Sequence, residues 1–319
     1  MDPVIIIGAP RSGTSLLQKI VRECDGFRSV AKESDFIWQP YTHPENNDWS
    51  FEGWNGRQIT REEKASFHFR FDEYAVPASV WRRSNAIGVQ RLQKSRLFRP
   101  VLKAGYKAFA SVTNRIRSAS SHSAEPLRIV DKSVHAPLFL DLVQQVFPDA
   151  RFIHITRRSA SAVPSMISGW LNPQRFFTYE LPGGLQIPDY PFDQWNFALP
   201  RGWEELRSHP LAEVVCFQWM AIQRATLGHF RKTGAPPVLR VSLERLALKP
   251  GEEFEKIARF IDGPDSSRLQ LGSAGLPRVN ARPDSEHRRM ADEIETRMAR
   301  IDSSLRDQLN AVDRELGYT

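Results

Sequence analysis

The sequence predicts an α/β fold, a parallel β-sheet with helices on both faces, in a single domain that spans residues 1–319. Four short runs rich in β-branched residues are each followed by a segment in which apolar residues repeat at helical spacing. This alternation is typical of parallel sheets, because a crossover helix must return the chain before the next strand can begin. In such sheets ligands bind beyond the carboxyl ends of the strands.

The four predicted units share one pattern, an apolar run of four or five residues and then a helix. In chain order they are Val4–Ile7 with 15–23, 127–130 with 138–146, 152–156 with a helix through 167, and 238–241 with 254–261. The residues that follow these runs should therefore meet at one edge of the sheet.

Two aromatic-rich stretches interrupt this pattern. Residues 36–81 contain eleven aromatic residues, and residues 170–203 contain nine together with five prolines. So many rings argue against disorder, and long ordered connections within a domain are often functional lids. We expect insertions over about 36–110 and 170–211 to form the side of the site that selects a substrate. Insertions that only pack against the domain are the alternative.

Composition and charge limit the class of protein. The chain carries 44 Lys and Arg against 37 Asp and Glu, with a net charge of +7 and a pI near 9.6. This excess suits a nucleic acid, an anionic membrane or a small polyanion. Because the Arg residues are spread through the chain, a nucleic-acid-binding protein is disfavoured. Composition alone does not choose between a membrane surface and a small polyanion.

Targeting and cysteine usage point to a cytoplasmic protein. The longest clean apolar run, Val4–Ile7, is far too short to span a membrane, and no Lys or Arg precedes it as in a signal peptide. The two cysteines, Cys24 and Cys216, encode neither a disulfide framework nor a Cys-based zinc site. A reducing compartment is therefore expected.

The most specific motif is the turn after the first run, which reads Gly8-Ala-Pro-Arg-Ser-Gly-Thr-Ser15. A buried strand that enters a Gly-rich turn and then a helix starting at Thr14 or Ser15 directs several backbone N–H groups at one point. The positive end of the helix dipole lies behind them. The turn therefore predicts a cradle for a phosphate or sulfate group, formed by Pro10, Arg11, Ser12, Gly13, Thr14 and Ser15.

The spacing of this turn matches a P-loop except at one position. Where P-loop NTPases have Lys, the chain has Thr14, and its cation, Arg11, lies inside the loop. Transfer of a γ-phosphoryl group would lack its main fixed cation, which disfavours the alternative enzyme, a P-loop kinase acting on a small metabolite. An Arg inside the loop suits a terminal 5′-phosphate and the group attached to it.

The turn resembles the donor-binding loop of the sulfotransferase family, whose pattern is G-x-P-R-S-G-T-[ST]-L. The likeness is greatest to the branch of the tyrosylprotein sulfotransferases and related bacterial enzymes. A second match covers 129–169, where Lys132 ends a strand, Phe147-Pro-Asp-Ala-Arg ends a helix, and Ser165 follows Arg157 by eight residues. The resemblance extends from residue 4 to about 262 and leaves out the aromatic-rich stretches.

The resemblance implies an enzyme that transfers a sulfuryl group from 3′-phosphoadenosine-5′-phosphosulfate (PAPS) to an acceptor hydroxyl by in-line displacement. Adenosine 3′,5′-bisphosphate (PAP) is then the product, and no metal is required. The acceptor would be a small molecule, lipid or carbohydrate. The sequence specifies neither which one nor the oligomeric state.

Each matched residue acquires an implied role. The loop from Pro10 to Ser15 would hold the 5′-phosphosulfate, and Lys132 would stabilise the leaving phosphate. Arg157 and Ser165 would hold the 3′-phosphate. Arg157 ends a strand and Ser165 lies in or near the first turn of the next helix, where both can face an anion.

Two further Arg residues have less defined roles. Arg158 stands where the family usually has Asp, and it either strengthens the 3′-phosphate site or faces solvent. Arg278, in Gly275-Leu-Pro-Arg-Val-Asn280, lies in a stretch similar to a late loop that closes over the donor.

The reaction also needs a base that takes the proton of the acceptor hydroxyl. Glu33, in Val30-Ala-Lys-Glu-Ser34, lies 22 residues beyond Arg11, where the strand after the first helix should end at the same sheet edge. The tyrosylprotein branch carries its catalytic Glu at a similar distance. His135 and His43 are the alternative bases, because cytosolic sulfotransferases use a His.

Overall fold

The computed structural model of the chain describes residues 2–24, 26–30, 33–77, 127–176, 178–263 and 284–319. The strands within these ranges are β1 Val4–Ile7, β2 Phe27–Ser29, β3 Val76–Pro77, β4 Arg128–Ser133, β5 Arg151–Thr156, β6 Thr178–Tyr179, β7 Trp195–Asn196 and β8 Val238–Ser242. The α-helices are α1 Thr14–Arg22, α2 Asp35–Thr42, α3 Arg61–Tyr74, α4 Leu140–Val146, α5 Ser159–Trp170, α6 Leu211–Phe230, α7 Leu243–Leu248, α8 Pro250–Asp262, α9 Asp284–Ala299 and α10 Ser303–Glu315.

Six of these strands form a central sheet in the order β3-β2-β4-β1-β5-β8. The five strands from β2 to β8 run parallel, and β3 pairs with β2 in the antiparallel direction at one edge. The four predicted strands are β1, β4, β5 and β8. The predicted α/β fold with a parallel sheet is therefore confirmed.

The apolar run of β1 is explained by its central place in the sheet. All four of its residues are buried, because β4 and β5 cover its two edges and helices cover both faces. Val4 and Ile6 pack in the core beneath α1 and α8, whereas Ile5 and Ile7 pack in the core beneath α2, α3 and α4. Helices on both faces were predicted and are found.

The register of the sheet sets the position of the site. Ile7, the last residue of β1, lies opposite Ser133 in β4 and His154 in β5. The Gly8 turn, the end of β4 and Arg157 after β5 therefore meet at one edge, where ligands bind in sheets of this kind.

Rings of the first aromatic-rich stretch belong to the core. Trp38, Phe67 and Phe71 are buried and pack against one another and against Phe139 and Phe147. These rings have a packing role, because α2 and α3 turn them toward the sheet. The expected insertion from residue 78 to its end near residue 110 lies outside the described residues.

The second aromatic-rich stretch is also largely core. Trp170, Trp195 and Trp203 are buried in a cluster shared with α5 and α6, and the edges of the rings meet the faces of their neighbours. Its two short strands, β6 and β7, pair with each other rather than with the central sheet. No helix among the residues that the structure describes is both long and apolar enough to cross a membrane.

Candidate functional site

The turn between β1 and α1 has a backbone that its glycines make possible. A Cβ atom at Gly8 would lie 2.3 Å from the carbonyl oxygen of Ile155, so only glycine fits there. Gly13 precedes the helix with a φ of 95°, and Arg11 takes a φ of 68°, a region that few residues other than glycine adopt. The helix starts at Thr14, as predicted, with no acidic residue in its first turn. Its N–H groups are placed to bind an anion.

Arg11, Arg157 and Ser165 lie together at this turn. The Nε of Arg11 donates to the Oγ of Ser165 at 3.2 Å, and an Nη of Arg157 donates to the backbone carbonyl of Arg11 at 3.2 Å. Burial lowers the pKa of the Arg157 guanidinium, while the Glu244 carboxylate opposes that shift. Both guanidinium groups remain cations at neutral pH, since an arginine pKa starts above 12. The structure thus brings together three residues that the sequence singled out separately.

Two side chains of the turn face different surroundings. Ser12 is fully buried, and its Oγ has no hydrogen-bond partner among the described residues. Burying an unpaired hydroxyl is unfavourable unless a ligand completes it. The Arg11 guanidinium lies 5.5 Å from the centre of the Phe176 ring, so the second aromatic-rich stretch reaches the anion cradle.

Arg158 contacts Glu244 and the C-terminal residues of the chain. Its guanidinium donates to the carbonyl oxygen of Thr319 at 2.6 Å and lies 5.5 Å from the Tyr318 ring, and its backbone N–H donates to Glu244 at 3.0 Å. Arg158 therefore fastens the C-terminal residues to the start of α5. Arg278 lies outside the described residues.

The structure places Ser165 one turn into its helix. α5 begins at Ser159, whose backbone N–H and hydroxyl both donate to Asp313 of α10. Ser165 therefore lies in the second turn of the helix rather than the first. Its hydroxyl still reaches Arg11, because residues one turn into α5 lie beside the glycine turn.

A second group of polar residues lies where β2 and β4 end. Three consecutive side chains after β2 pair with the last three of β4, and we call residues 33–35 and 131–133 the clamp. Glu33 forms an ion pair with Lys132. The Ser34 hydroxyl donates to Asp131 at 2.6 Å, and the Ser133 hydroxyl donates to Asp35 at 2.9 Å. The clamp fixes the side chains of Glu33 and Lys132 from both sides.

The two ends of the ion pair differ in their exposure to solvent. The Lys132 side chain is 3% exposed, whereas the Glu33 side chain is 31% exposed. Burial lowers the pKa of the Lys132 ammonium to about 7. Contact with the Glu33 carboxylate favours the charged form of Lys132, so we assign the pair as carboxylate and ammonium at neutral pH. The Glu33 carboxylate is therefore accessible to a ligand from solvent, whereas the Lys132 ammonium is accessible only from inside the site.

Two buried groups hold the Ser34 hydroxyl of the clamp, the carboxylate of Asp131 and the indole of Trp38. Burial raises the pKa of Asp131 to about 6, although the hydrogen bond from Ser34 opposes the shift. The indole Nε1 of Trp38 donates to the Ser34 hydroxyl at 2.9 Å. A buried ring of the core is therefore also a hydrogen-bond donor to the site.

His135, one of the alternative bases, is held in the protonated form. Its Nδ1 lies 2.8 Å from both carboxylate oxygens of Glu52, and its Nε2 lies 4.0 Å from Asp35. Burial lowers the pKa of His135, but the charges of Glu52 and Asp35 outweigh burial and raise the pKa to about 9. An imidazolium has no lone pair that could accept a proton, so this geometry does not suit a base.

His43, the other alternative, lies on the aromatic-rich side. Its Nδ1 accepts from the backbone N–H of Glu45 at 3.3 Å, and its ring packs edge-on against Trp49 and Tyr179. The Glu45 carboxylate also lies 3.5 Å from Nδ1, so the His43 ring is held by packing and by its contacts with residue 45. The hydrogen bonds and ion pairs given above for His43 and His135 join them to Glu45, Glu52 and Asp35.

The protonated state of His135 has a measurable consequence for stability. The folded-state pKa of about 9 exceeds the usual 6.5, so the stabilisation is complete below pH 6.5 and is lost as the pH rises to 9. We expect the difference in unfolding free energy between wild type and His135→Gln to shrink by on the order of 3 kcal/mol between pH 6 and pH 9.5. Urea unfolding of both proteins at the two pH values measures it.

The comparison with a variant is needed because Lys132 acts in the opposite direction. Its pKa is lowered to about 7, so the penalty for burying it disappears as the pH rises from 7 toward 10.5. His135→Gln retains Lys132, so the comparison removes the Lys132 contribution that the two proteins share. A difference that stays constant with pH would show that His135 is neutral in the folded protein.

Sequence reasoning missed most of the residues that support the site. Ser34, Asp35, Asp131 and Ser133 are chain neighbours of Glu33 and Lys132, and that adjacency was the available signal. Glu52 had no such signal, because it meets His135 across 83 residues of sequence. Within the described residues, no group of three or more His, Cys, Asp or Glu side chains is arranged to hold a metal ion.

Several solved structures are similar to the chain. The sulfotransferase domain of the olefin synthase from Synechococcus PCC 7002 has 15% identity and a TM-score of 0.45, over 100% of this chain and 95% of that one. The sulfotransferase domain of the curacin biosynthetic pathway has 13% identity and a TM-score of 0.48, over 100% and 98%. A sulfotransferase from Alicyclobacillus acidocaldarius has 13% identity and a TM-score of 0.40, over 96% and 99%.

The family itself is established by sequence. No curated protein matches the chain significantly. A family model described as the sulfotransferase family matches residues 3–267, a range that contains the glycine turn, the clamp, Arg157 and Ser165. The chain therefore belongs to the sulfotransferase family.

Proposed function

We propose that the protein transfers the sulfuryl group of PAPS to a hydroxyl group of a small-molecule, lipid or carbohydrate acceptor. The observation that supports this most is the meeting of Arg11, Arg157 and Ser165 at a glycine turn, at the same sheet edge as the Glu33–Lys132 pair. PAPS has two separate anionic groups and a reactive sulfuryl group. Arg11 and Arg157 match the two anionic groups, and the Glu33–Lys132 pair matches the reactive centre.

The residues of the turn fit the phosphosulfate end of such a donor. The backbone from Arg11 to Ser15 offers N–H groups at a helix N-terminus, and the buried hydroxyl of Ser12 lacks a partner among the described residues. Arg11 adds a fixed positive charge. A Cβ atom at Gly13 would lie 2.7 Å from Leu243, so the turn is shaped by close packing and not by the ligand alone.

Arg157 and Ser165 fit the 3′-phosphate. A guanidinium and a hydroxyl can bind one phosphate together, since both donate hydrogen bonds and the guanidinium is a permanent cation. Arg11 hydrogen-bonds to the Ser165 hydroxyl, and the Arg157 guanidinium hydrogen-bonds to the backbone carbonyl of Arg11. Both groups are therefore held in defined positions before a ligand binds.

The acceptor is activated by the clamp. When bound, PAPS supplies a sulfuryl group already attached to a good leaving phosphate. The Glu33 carboxylate accepts the proton of the acceptor hydroxyl, which it can reach because the side chain is partly exposed. The Lys132 ammonium stabilises the negative charge that develops on the leaving phosphate. Both groups are charged beforehand because each stabilises the charge of the other.

A P-loop kinase of a small metabolite is the second candidate. It is favoured by the glycine turn alone and disfavoured by Thr14, which occupies the place of the catalytic Lys. Calorimetry with PAP and with ADP, each with and without Mg²⁺, distinguishes the two enzymes. A sulfotransferase binds PAP without Mg²⁺, whereas a kinase binds ADP in its presence. Acceptors are then screened by mass spectrometry for the gain of one sulfuryl group.

Removal of the Arg157 side chain tests the assignment of the 3′-phosphate site. We expect Arg157→Ala to weaken PAP binding at least about tenfold and ADP binding less than about twofold, because only PAP carries the 3′-phosphate. Arg224→Ala serves as the matched control, since Arg224 is exposed on α6. Equal losses for PAP and ADP would place Arg157 at the 5′ end or remove it from the site.

A further inference from the structure

Glu52 is a buried acid whose contacts join three parts of the chain. It is 3% exposed, and the proposed reaction uses it neither as base nor as donor ligand. Its backbone N–H donates to the carbonyl of Leu199 at 2.7 Å, and its carboxylate accepts from the Leu199 N–H at 3.1 Å. Two opposed hydrogen bonds thus fasten residue 52 to the second aromatic-rich stretch.

The same carboxylate has two more partners. Its oxygens lie 2.8 Å from Nδ1 of His135, and its negative charge adds to burial in raising the pKa of the Tyr179 hydroxyl. Tyr179 lies in β6 of the second stretch and packs against His43. Glu52 therefore holds this stretch by hydrogen bonds at Leu199 and interacts electrostatically with Tyr179, 20 residues earlier.

His135 carries the connection on to the clamp. Its Nε2 faces Asp35 at 4.0 Å, and Asp35 accepts a hydrogen bond from Ser133, the residue after Lys132. The hydroxyl of Ser133 also accepts the backbone N–H of His135 at 3.0 Å. Through these contacts Glu52 and His135 connect the second aromatic-rich stretch to the clamp.

We propose that Glu52 and His135 are positioning residues, which fix residues 176–203 beside the Glu33–Lys132 pair and so place the acceptor hydroxyl at its base. This inference rests on the proposed function, because an acceptor must meet Glu33. The acceptor would lie against residues 176–203, in which Phe176 lies over Arg11 and Tyr179 packs against His43.

An ion pair suits this task for a physical reason. A buried carboxylate and imidazolium gain little stability over apolar residues of the same volume, but removal of one partner leaves a buried charge and is costly. Only one arrangement satisfies both groups, so the pair specifies a single position for the stretch. Apolar side chains could slide past one another by a fraction of an ångström at little cost.

The test compares Glu52→Ala with Glu52→Gln. Alanine removes every side-chain contact, whereas glutamine keeps an acceptor for Leu199 and Tyr179 and a donor for a neutral His135. Amide hydrogen exchange of residues 195–203 reports the fastening. PAP calorimetry reports the donor site, and transfer from PAPS to p-nitrophenol as acceptor probe reports kcat and the KM for PAPS. Glu204→Ala, an exposed residue of the same stretch, is the control.

We expect exchange in 195–203 to be at least about tenfold faster in Glu52→Ala, with residues 4–22 and PAP affinity unchanged. We expect kcat to fall at least about tenfold at an unchanged KM for PAPS, and Glu52→Gln to recover most of both. If Glu52→Ala does not fold, Tyr179→Phe is measured instead. We then expect a smaller increase in amide exchange and a smaller fall in kcat. The result from a variant supports the inference only if the variant binds PAP with wild-type affinity.

Two results would overturn the inference. One is exchange at the wild-type rate in residues 195–203 of the Glu52 and Tyr179 variants. The other is a loss of PAP affinity in step with the loss of kcat, which would mean a general structural role. Failure of the wild-type protein to bind PAP would instead count against the proposed function. The exchange data would still decide whether Glu52 fastens the stretch.

Discussion

Glu33→Gln is expected to lower kcat by about 10²- to 10⁴-fold with the acceptor that the screen identifies, while PAP binds with its wild-type affinity. The amide has nearly the shape of the carboxylate but cannot accept a proton from the acceptor hydroxyl. Glu33 lies outside the glycine turn and contacts Lys132, not Arg11 or Arg157, so the donor site should be untouched. Single-turnover transfer from radiolabelled PAPS measures the loss, and calorimetry with PAP measures the binding.

The matched control for Glu33→Gln is Glu62→Gln, which changes an exposed Glu in the first turn of α3. It should leave both kcat and PAP affinity at wild-type values. Turnover that survives in Glu33→Gln would mean that the base lies elsewhere. His43 would then be the next residue to replace, because the imidazole of His135 is already protonated.

The parts of the fold that the sequence predicted correctly depend on local physics. The run Val4–Ile7 is buried because it is the central parallel strand, and a strand of that kind is apolar throughout. Gly8 and Gly13 are required by close contacts and a positive φ within a few residues of the strand. The start of α1 at Thr14 follows from the same turn. Spacing along the chain contains this information.

The clamp was only half predictable, because its contacts join residues about 100 positions apart. Glu33 and Lys132 were expected at one sheet edge, each from its own strand end. The direct ion pair between them, and the bonds from Ser34 and Asp35 to β4, depend on how α2 sits against β4. No pattern in either segment alone contains that packing.

Ring composition gave the least information. Eleven aromatic residues between 36 and 81 indicated an ordered segment, and the described part of it contains helices α2 and α3 and strand β3. Composition does not distinguish a ring that packs in the core, such as Trp38, from one that faces a ligand. Phe176 is the half-buried ring that lies over Arg11, and its neighbours in sequence are no less aromatic than those of Trp38. Tertiary packing alone separates the two roles.

Lys132→Met is expected to reduce kcat by about 10²- to 10³-fold, the loss typical of removing one group that stabilises charge in the transition state. Methionine fills a similar volume, so the substitution removes the charge and leaves the buried position packed. The fold should tolerate it, because burial already disfavours the ammonium and lowers its pKa to about 7. Thermal unfolding and PAP calorimetry confirm the folded state and the donor site, and single-turnover transfer measures kcat.

The double variant Glu33→Gln with Lys132→Met makes the prediction specific. If the two residues act on one transition state, the losses in kcat should fall well short of the product of the single losses, because each variant alone already leaves its partner unpaired. Lys249→Met removes an exposed lysine that pairs with Glu252 on the surface, and kcat should not change in it. Single losses that multiply in full would mean that Lys132 and Glu33 act at separate steps. Lys132 would then hold the donor, its KM for PAPS would rise with the fall in kcat, and the assignment of the leaving oxygen to Lys132 would be wrong.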